Sequence, residues 1–410
     1  MDTTKIICCL ALACILLASC VSYSNHPPPS QETTDVTATP WLAPTIRQMT
    51  PVRLLTQAPT PEQLATPQVA LFDRRAVDVA SLVGISGFPP GINPLTGLAV
   101  DDQSILQRRP VMVKVSNYPR SGRPHAGLSF ADIVFEYYIG EEANRFLAVY
   151  YGQDCPKVGP IRSGRLVDAQ LVNLYGGILV YGNADPKVDE VLEYELGKRA
   201  FAFNQTPCPP VCGKDTHSVT GVFANTAEMT RFAVAHGILN QQPDLRGMVF
   251  AKNFPQSDAY AIKIGVEYSQ RNRGEWLYDP ATGLYLRWIE DKGDKDNFVM
   301  IPLVDRLTGQ QLAFANVIIL FAEYIEYAPT LHQIDIWGNH DGQRALIFRD
   351  AVLIEGKWEV YQHNQPIRFY NIYGLPIALK PGNTWIVIAG LNSSFEETQP
   401  GQWELHFALP

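Results

Sequence analysis

Two arginines bracket a serine and a glycine in the stretch KVGPIRSGRLVDAQ, residues 157–170. Arg162 and Arg165 follow a rigid glycine–proline pair and lead into a segment whose apolar spacing predicts a helix. A helix N-terminus already carries partial positive charge and free N–H groups, so two guanidinium groups there need an acid opposite them. That acid is either a carboxylate of the protein or an anionic ligand held by Arg162, Ser163 and Arg165.

Three carboxylates that precede this stretch could supply the chemistry of glycan cleavage. Asp132 and Glu136 are four residues apart in a predicted strand, so they point to the same side, and Glu141 lies in the following loop. We expect Glu136 at the end of its strand, where ligands gather in open α/β sheets. Paired carboxylates supply an acid and a base or nucleophile for glycan hydrolysis, so Asp132, Glu136 and Glu141 are candidate catalytic residues.

The alternative for these carboxylates is structural. If the two strands around the IGEEAN loop form a hairpin, Glu136 and Arg145 are diagonal neighbours on one face and pair as ions. In the same way, the two arginines of the opening stretch would tie the helix start to Glu136, Glu141 or Asp185.

Further polar residues complete the candidate site. Arg123, Arg145 and His217 join Arg162, Ser163 and Arg165 as candidate ligand-binding residues. Ser163 with His217 as its base would make a nucleophile, but nothing like a nucleophile elbow surrounds it, and a serine at a helix start usually caps the helix. The acidic run EDKGDKD, residues 290–296, lacks calcium-loop spacing and is typical of a solvated turn. We predict no cofactor and no metal.

The N-terminus has the pattern of a lipoprotein signal peptide. Lys5 precedes an apolar run from Ile6 to Leu17, which as a helix spans about 18 Å and is too short for a bilayer core of about 30 Å. The run ends in the tetrad LASC, which resembles a bacterial lipobox. We therefore predict cleavage after residue 19 and a lipidated Cys20 that holds the chain to a membrane outside the cytoplasm. Ordinary secretory cleavage is the alternative.

Three cysteines, Cys155, Cys208 and Cys212, remain after Cys20. Outside the cytoplasm two of them can pair and one is left over. Cys208 and Cys212 can close a tight loop on themselves, and Cys155 can equally pair with either.

The rest of the chain divides by composition. Residues 20–75 are rich in proline, threonine and serine and cannot bury a core, so they predict an extended tether. Residues 85–250 alternate strand and helix patterns and predict an α+β domain. Residues 255–410 hold short strand-like runs separated by turn signals and predict a mainly β domain. Most of the tryptophans in this second half are expected in its core.

Several motifs stand in the order found in one bacterial family. They are NPLTGL, RPVMVKVSN, GRPHAGLSFADIVFE, NRFLAVYY and VGPIRSGR, followed by ANVIILF and LPIALKPGNTWIVIA. The chain thereby resembles the YerB-like lipoproteins over about residues 90–405. The resemblance implies an envelope lipoprotein with an N-terminal domain of unknown function and a separate C-terminal domain.

The net charge and the predicted location outside the cytoplasm limit the possible functions of the chain. The net charge is −8 and there is no long basic run, so nucleic acid is not a predicted partner. The predicted anchor, the predicted tether and the candidate polar residues together suggest a hypothesis: the chain binds or cleaves cell-wall glycan, with peptidoglycan as partner. The alternative is a non-enzymatic lipoprotein that binds a partner protein or a small anionic ligand.

Overall fold

The computed structural model describes residues 82–214, 220–253, 255, 257, 259–294 and 297–410. The predicted signal peptide, the predicted lipidation site Cys20, the predicted tether and His217 lie outside the described residues.

The described residues contain three α-helices: α1 Leu166–Leu174, α2 Pro186–Leu196 and α3 Thr226–Ala235. Helical patterns after Ser163, over residues 185–198 and over residues 225–237 predict all three. In the second of them, Asp185 is the expected cap and Pro186 the expected first position. Helix α2 begins as expected, because the Asp185 side chain accepts a hydrogen bond from the backbone N–H of Lys187 (2.9 Å) and Pro186 takes the first position. Within the described ranges, no helix is both long enough and apolar enough to cross a bilayer.

Strands are the commonest regular elements of the described chain, and helices are few. The first half holds β1 Val111–Ser116, β2 Ile133–Gly140, β3 Ala143–Tyr150, β4 Ile178–Tyr181, β5 Ala200–Ala202, β6 Val211–Gly213, β7 Val222–Ala224 and β8 Val249–Phe250. The second half holds β9 Ala259–Tyr260, β10 Lys263–Ser269, β11 Asn272–Asp279, β12 Leu284–Asp294, β13 Asn297–Pro302, β14 Ala313–Phe314, β15 Asn316–Ala328, β16 Leu331–Asp335, β17 Gln343–Arg349, β18 Val352–Glu359, β19 Arg368–Tyr370, β20 Ala378–Leu379, β21 Thr384–Gly390, β22 Ser394–Gln399 and β23 Gln402–His406.

A twelve-stranded sheet contains strands from both halves of the sequence. Its main order is β19-β18-β17-β15-β21-β2-β3-β1-β4-β5, with β16 on β15 and β9 on β18. Strands β1, β4 and β5 are parallel at one side, and β2 pairs in parallel with β21. The predicted domain boundary near residue 250 falls between β8 and β9. Strand β2 precedes this boundary and β21 follows it, so the hydrogen bonds between β2 and β21 connect the two predicted domains in one sheet.

A second sheet packs against one face of the first. It has seven strands in the order β13-β12-β11-β10-β23-β22, with β14 on β12. Val113, Val134 and Phe146 point toward it and share a buried cluster with Trp276. The side chains that alternate with these along the strands, such as Phe135 and Leu147, point to the opposite face of the large sheet. Helices α1 and α2 cover that face. A side chain's position along a strand therefore decides which layer it enters.

Candidate functional site

Glu136 lies in the middle of β2 and between the two sheets, not at a strand end as predicted, because β2 continues to Gly140. Its side chain is fully buried. Its Oε2 atom accepts a hydrogen bond from Trp385 Nε1 (2.7 Å) and forms an ion pair with Arg287 (3.1 Å). Its Oε1 atom accepts a hydrogen bond from the side-chain amide of Asn144. We call Glu136, Asn144, Arg287 and Trp385 the Glu136 cluster.

The Glu136 cluster is electrostatically balanced. Burial raises the pKa of Glu136, while Arg287 opposes that rise. The guanidinium of Arg287 is itself held 4.0 Å from the ring centre of Trp276 and 5.0 Å from that of Trp385. Protein donors reach both oxygens of Glu136, so this carboxylate has the environment of a buried structural ion pair.

Arg145 does not pair with Glu136, and the predicted ion pair between them is wrong. In the β2–β3 hairpin Glu136 lies opposite Phe146, while Arg145 lies opposite Tyr137. Side chains alternate along a strand, so Glu136 and Arg145 enter opposite faces of the sheet.

The other two candidate carboxylates are also separated from each other. Asp132 is buried and accepts hydrogen bonds from Asn93 Nδ2 (2.8 Å), Tyr151 N (2.6 Å) and Gly152 N (3.0 Å). Burial raises the pKa of Asp132 to about 6 despite these donors. Glu141 is exposed at the tip of the predicted hairpin, where it and Glu142 have φ of 51° and 59°. These conformations are typical of a two-residue type I′ turn.

Arg123 lies away from the other candidate arginines, in an ion pair with Glu290 of β12. Arg123 (2.9 Å) and Arg120 (3.1 Å) both donate to the same oxygen of Glu290, and Tyr118 donates at 2.6 Å. Glu290 is fully buried, so its prediction as part of a solvated turn is wrong. Glu290, the first residue of the acidic run, is thus an internal acid whose contacts connect β12 to the segment after β1.

Arg145, Arg162 and Arg165, here called the arginine cluster, come together at the carboxyl end of the parallel strands. The loop before α1 inserts beside β1 and β4, since Arg162 N donates to Lys114 O (3.0 Å) and Gly182 N donates to Arg162 O (2.8 Å). Arg145 reaches the same loop from β3 and donates to Ser163 O (2.8 Å). Ligands of α/β sheets gather at this kind of edge.

Helix α1 is capped by Asp168 and not by Ser163. The Asp168 carboxylate accepts the backbone N–H of Arg165 (2.7 Å), the N-cap residue. The predicted serine cap is therefore wrong. The Ser163 side chain is left at the mouth of a cavity, half-buried.

The three arginines of the arginine cluster repel one another. Arg145 is only 8% exposed, and burial together with Arg165 and Arg162 lowers its pKa well below the usual range. Arg165 donates to the carbonyl of Gly164, and its pKa is lowered chiefly by burial. Among the described residues, neither the Arg145 nor the Arg165 guanidinium forms an ion pair with a carboxylate.

Lys114 adds a fourth basic group beneath this cluster. Its ammonium lies 3.1 Å from Asp168 Oδ1, and Tyr137 contacts both groups. Burial lowers the pKa of Lys114 to about 7, with Asp168 opposing the shift and Arg145 and Arg165 adding to it. Asp168 is thus shared between a helix cap, a hydroxyl and an ammonium, and its charge also opposes the lowering of the pKa of Arg145 and of Arg165.

A cavity of about 150 Å³ opens beside the arginine cluster. Its polar side chains are Arg162, Ser163 and Asn183, and its apolar ones are Ile161, Phe203 and Val222. Asn183 follows β4 and Phe203 follows β5, so two strand ends and the loop before α1 form the walls. The cavity therefore combines one cationic and two neutral polar side chains with three apolar ones.

Sequence patterns identify the arginines but miss their surroundings. Lys114, Tyr137 and Asp168 lie in segments that the sequence predicts only as strand and helix. Arg287 and Trp385 are 151 and 249 residues from Glu136 along the chain. No motif connects residues that far apart.

The cysteines adopt one of the pairings left open. Cys208 and Cys212 form a disulfide, and Cys155 is free and buried. Burial raises the pKa of the Cys155 thiol to about 12, so it stays protonated at neutral pH. Among the described residues, no group of three or more His, Cys, Asp or Glu side chains could hold a metal ion.

Known proteins share this arrangement of two segments. The family described as "Protein of unknown function (DUF3048) N-terminal domain" matches residues 95–233, and the corresponding C-terminal domain family matches residues 264–386. A relative named "Putative lipoprotein YerB", from Bacillus subtilis (strain 168), is 28% identical over 314 residues, which cover 72% of this chain and 85% of the relative.

A solved structure agrees with the sequence match. The crystal structure of YerB protein from Bacillus subtilis superposes with a TM-score of 0.59 at 28% identity, covering 72% of this chain and 96% of that one. Two family matches in the expected order, a similar full-length relative and a similar fold point the same way. The chain belongs to the YerB-like family, with the N-terminal and C-terminal DUF3048 domains.

Proposed function

We propose that this chain is a lipid-anchored protein of the cell envelope that binds an acidic group of the cell wall at the arginine cluster. The observation that carries the proposal is that Arg145 and Arg165 have no carboxylate partner among the described residues and lie beside a strand-end cavity that Arg162 and Ser163 line. The lipobox-like tetrad ending at Cys20 and the lipoprotein name of the relative support the anchor.

Binding is favoured over cleavage by the state of the three carboxylates. Glu136 and Asp132 are buried and hydrogen-bonded within the protein, and Glu141 is a turn residue on the surface. A glycosidase needs two carboxyl groups that face the same substrate. The arginines instead offer planar donors for a carboxylate or phosphate, the acids that wall peptides, muramic acid and wall polymers carry.

The test is sedimentation of the full-length chain, kept in detergent, with purified peptidoglycan sacculi. The Arg162→Gln/Arg165→Gln variant should lose most of the pelleted fraction, because the planar donors are gone. The matched control is Arg231→Gln/Arg344→Gln, which removes the same charge from two exposed sites and should pellet like the wild type. Equal pelleting by the arginine-cluster variant would refute the proposal.

Two further arms identify the acid and test cleavage. Sacculi stripped of phosphate polymers by acid should still bind if the recognised group is a peptidoglycan carboxylate, and should lose binding if it is a wall phosphate. Mass spectrometry of the supernatant should find no released fragments. Fragments that vanish with Glu136→Gln would instead favour the cleavage hypothesis.

A partner protein is the second candidate, and an exposed strand favours it. Strand β13 is an edge of the smaller sheet, and its Phe298, Val299 and Ile301 are 37%, 61% and 37% exposed. An uncharged apolar edge can accept a strand from another protein. A Val299→Lys variant that lost a cross-linked envelope partner while still binding sacculi would support this second role.

A further inference from the structure

A second cavity, larger than the first, lies on another part of the molecule. It has a volume of about 440 Å³ and is formed by residues 87–94, the 3₁₀ turn Gln103–Gln107 and residues 242–246. It shares no lining residue with the cavity beside the arginine cluster. Its size lies within the range of about 300–1,000 Å³ that small-molecule sites occupy. We call it the glutamine cleft.

The frame of the glutamine cleft is stiff. Pro89, Pro90, Pro94 and Pro243 line it, and proline fixes one backbone angle of each residue. Gly91 has φ of 78° and lies against Gln103, where an added Cβ would come within 2.9 Å of the glutamine side chain. A walled cleft with a fixed shape loses little conformational freedom when a ligand enters.

Glutamine amides supply its free hydrogen-bonding groups. Gln103 and Gln107 line the cleft and are exposed to solvent, whereas Gln242, which also lines it, has a side-chain hydrogen bond with Tyr151. In the described part of the chain, the Gln103 and Gln107 side chains make no hydrogen bond. Each amide has two donors and one carbonyl acceptor, so the pair can bind groups that both donate and accept.

The charged groups of the glutamine cleft neutralise each other. Arg246 donates to both oxygens of Asp244, at 2.8 and 2.7 Å, and Gln365 donates to Asp244 at 2.7 Å. Arg246 lowers the pKa of Asp244 to about 2, so the carboxylate stays ionised and paired. The cleft therefore suits a neutral ligand, in contrast to the arginine cluster.

Phe88 and the prolines add apolar faces beside the amides. Sugar rings present hydroxyl groups around their edges and C–H groups on their faces, so they match amides and apolar faces together. An acetamido group on the sugar adds one more donor and one more acceptor for a glutamine amide. We propose that the glutamine cleft binds a neutral N-acetylated saccharide of about two sugar units.

The test is a calorimetric titration of the full-length chain in detergent with chitobiose, the neutral disaccharide of N-acetylglucosamine. The wild type should bind saturably, and Gln103→Ala/Gln107→Ala should bind about tenfold more weakly, since two hydrogen-bonding side chains are lost. Gln362→Ala, at an exposed glutamine elsewhere, is the matched control and should bind like the wild type. Unchanged melting temperatures would show that the cleft variant is folded.

Either of two results would overturn this inference: no saturable binding by the wild type, or equal binding by the cleft variant and the wild type. The Arg162→Gln/Arg165→Gln variant separates it from the proposed function. That variant should bind chitobiose normally while losing the sacculi. The proposed saccharide site and the proposed anion site are therefore tested independently of each other.

Discussion

The Glu136 cluster and the arginine cluster lie on opposite faces of the same β2–β3 hairpin, and they treat charge in opposite ways. Glu136 receives a guanidinium and two neutral donors, so its charge is met inside the protein. Arg145 stands one register position away, beside two more arginines and a carboxylate that is already shared. The first arrangement stabilises the packing of two sheets, and the second is suited to an external acid.

The largest expected effect is the loss of Arg287. An Arg287→Ala variant leaves the Glu136 carboxylate buried without its counter-ion and should lower the free energy of unfolding by about 3–5 kcal/mol. Urea denaturation would measure it. Glu136→Gln/Arg287→Met should recover much of the loss, because it removes both charges. A loss below about 1 kcal/mol in the alanine variant would break the comparison, since Glu136 would then not depend on its internal partner.

A smaller effect is expected from Lys114, which lies under the arginine cluster. The pKa of this lysine is about 7 in the folded chain and about 10.4 in the unfolded chain, so the unfolded chain binds more protons between these values. Stability should therefore rise as pH increases from about 7 toward 10. Lys114→Met should remove this rise, with a difference on the order of 1–3 kcal/mol across the window.

The matched control for the pH profile is Lys357→Met, at an exposed lysine of β18. Its profile should follow the wild type. If Lys114→Met kept the same rise as the wild type, the burial of Lys114 beside Arg145 and Arg165 would not be the source of the pH dependence.

The smallest expected effect concerns the carboxylates that belong to neither cluster. Glu141→Asn/Glu142→Gly places the preferred type I′ pair at a turn where both residues have positive φ. It should raise the free energy of unfolding by about 1 kcal/mol and leave sacculus binding unchanged. Thermal melting and sedimentation would check both. A loss of binding would give Glu141 or Glu142 a direct role and would weaken the contrast between the two faces.

Local chemistry allowed much of the fold to be predicted from sequence. Asp185 and Pro186 begin α2, the IGEEAN segment turns the β2–β3 hairpin, and the four-residue spacing of Cys208 and Cys212 suits the loop that they close. The interactions involved act between neighbouring residues, so their signals lie within a few positions of each other.

The candidate site was predicted only in part. The position of Arg162 and Arg165 at the start of α1 follows from the apolar spacing of the residues after them. The exclusion of Glu136 from that position does not, because it depends on strand register. A shift of one residue in the pairing of β2 with β3 would move every side chain of the strand to the other face.

The sequence by itself determined the helices, most strands, the hairpin turn and the family, because each depends on nearby residues or on motif order. Only the tertiary structure decided which charges meet. Arg287 reaches Glu136 across 151 residues because β12 belongs to the sheet that covers one face of β2. Arg145 lies near Arg162 and Arg165 because β3 begins at the same edge of the sheet as the loop before α1. Burial strengthens both the attraction between Arg287 and Glu136 and the repulsion among the three arginines, because charges removed from water are screened little.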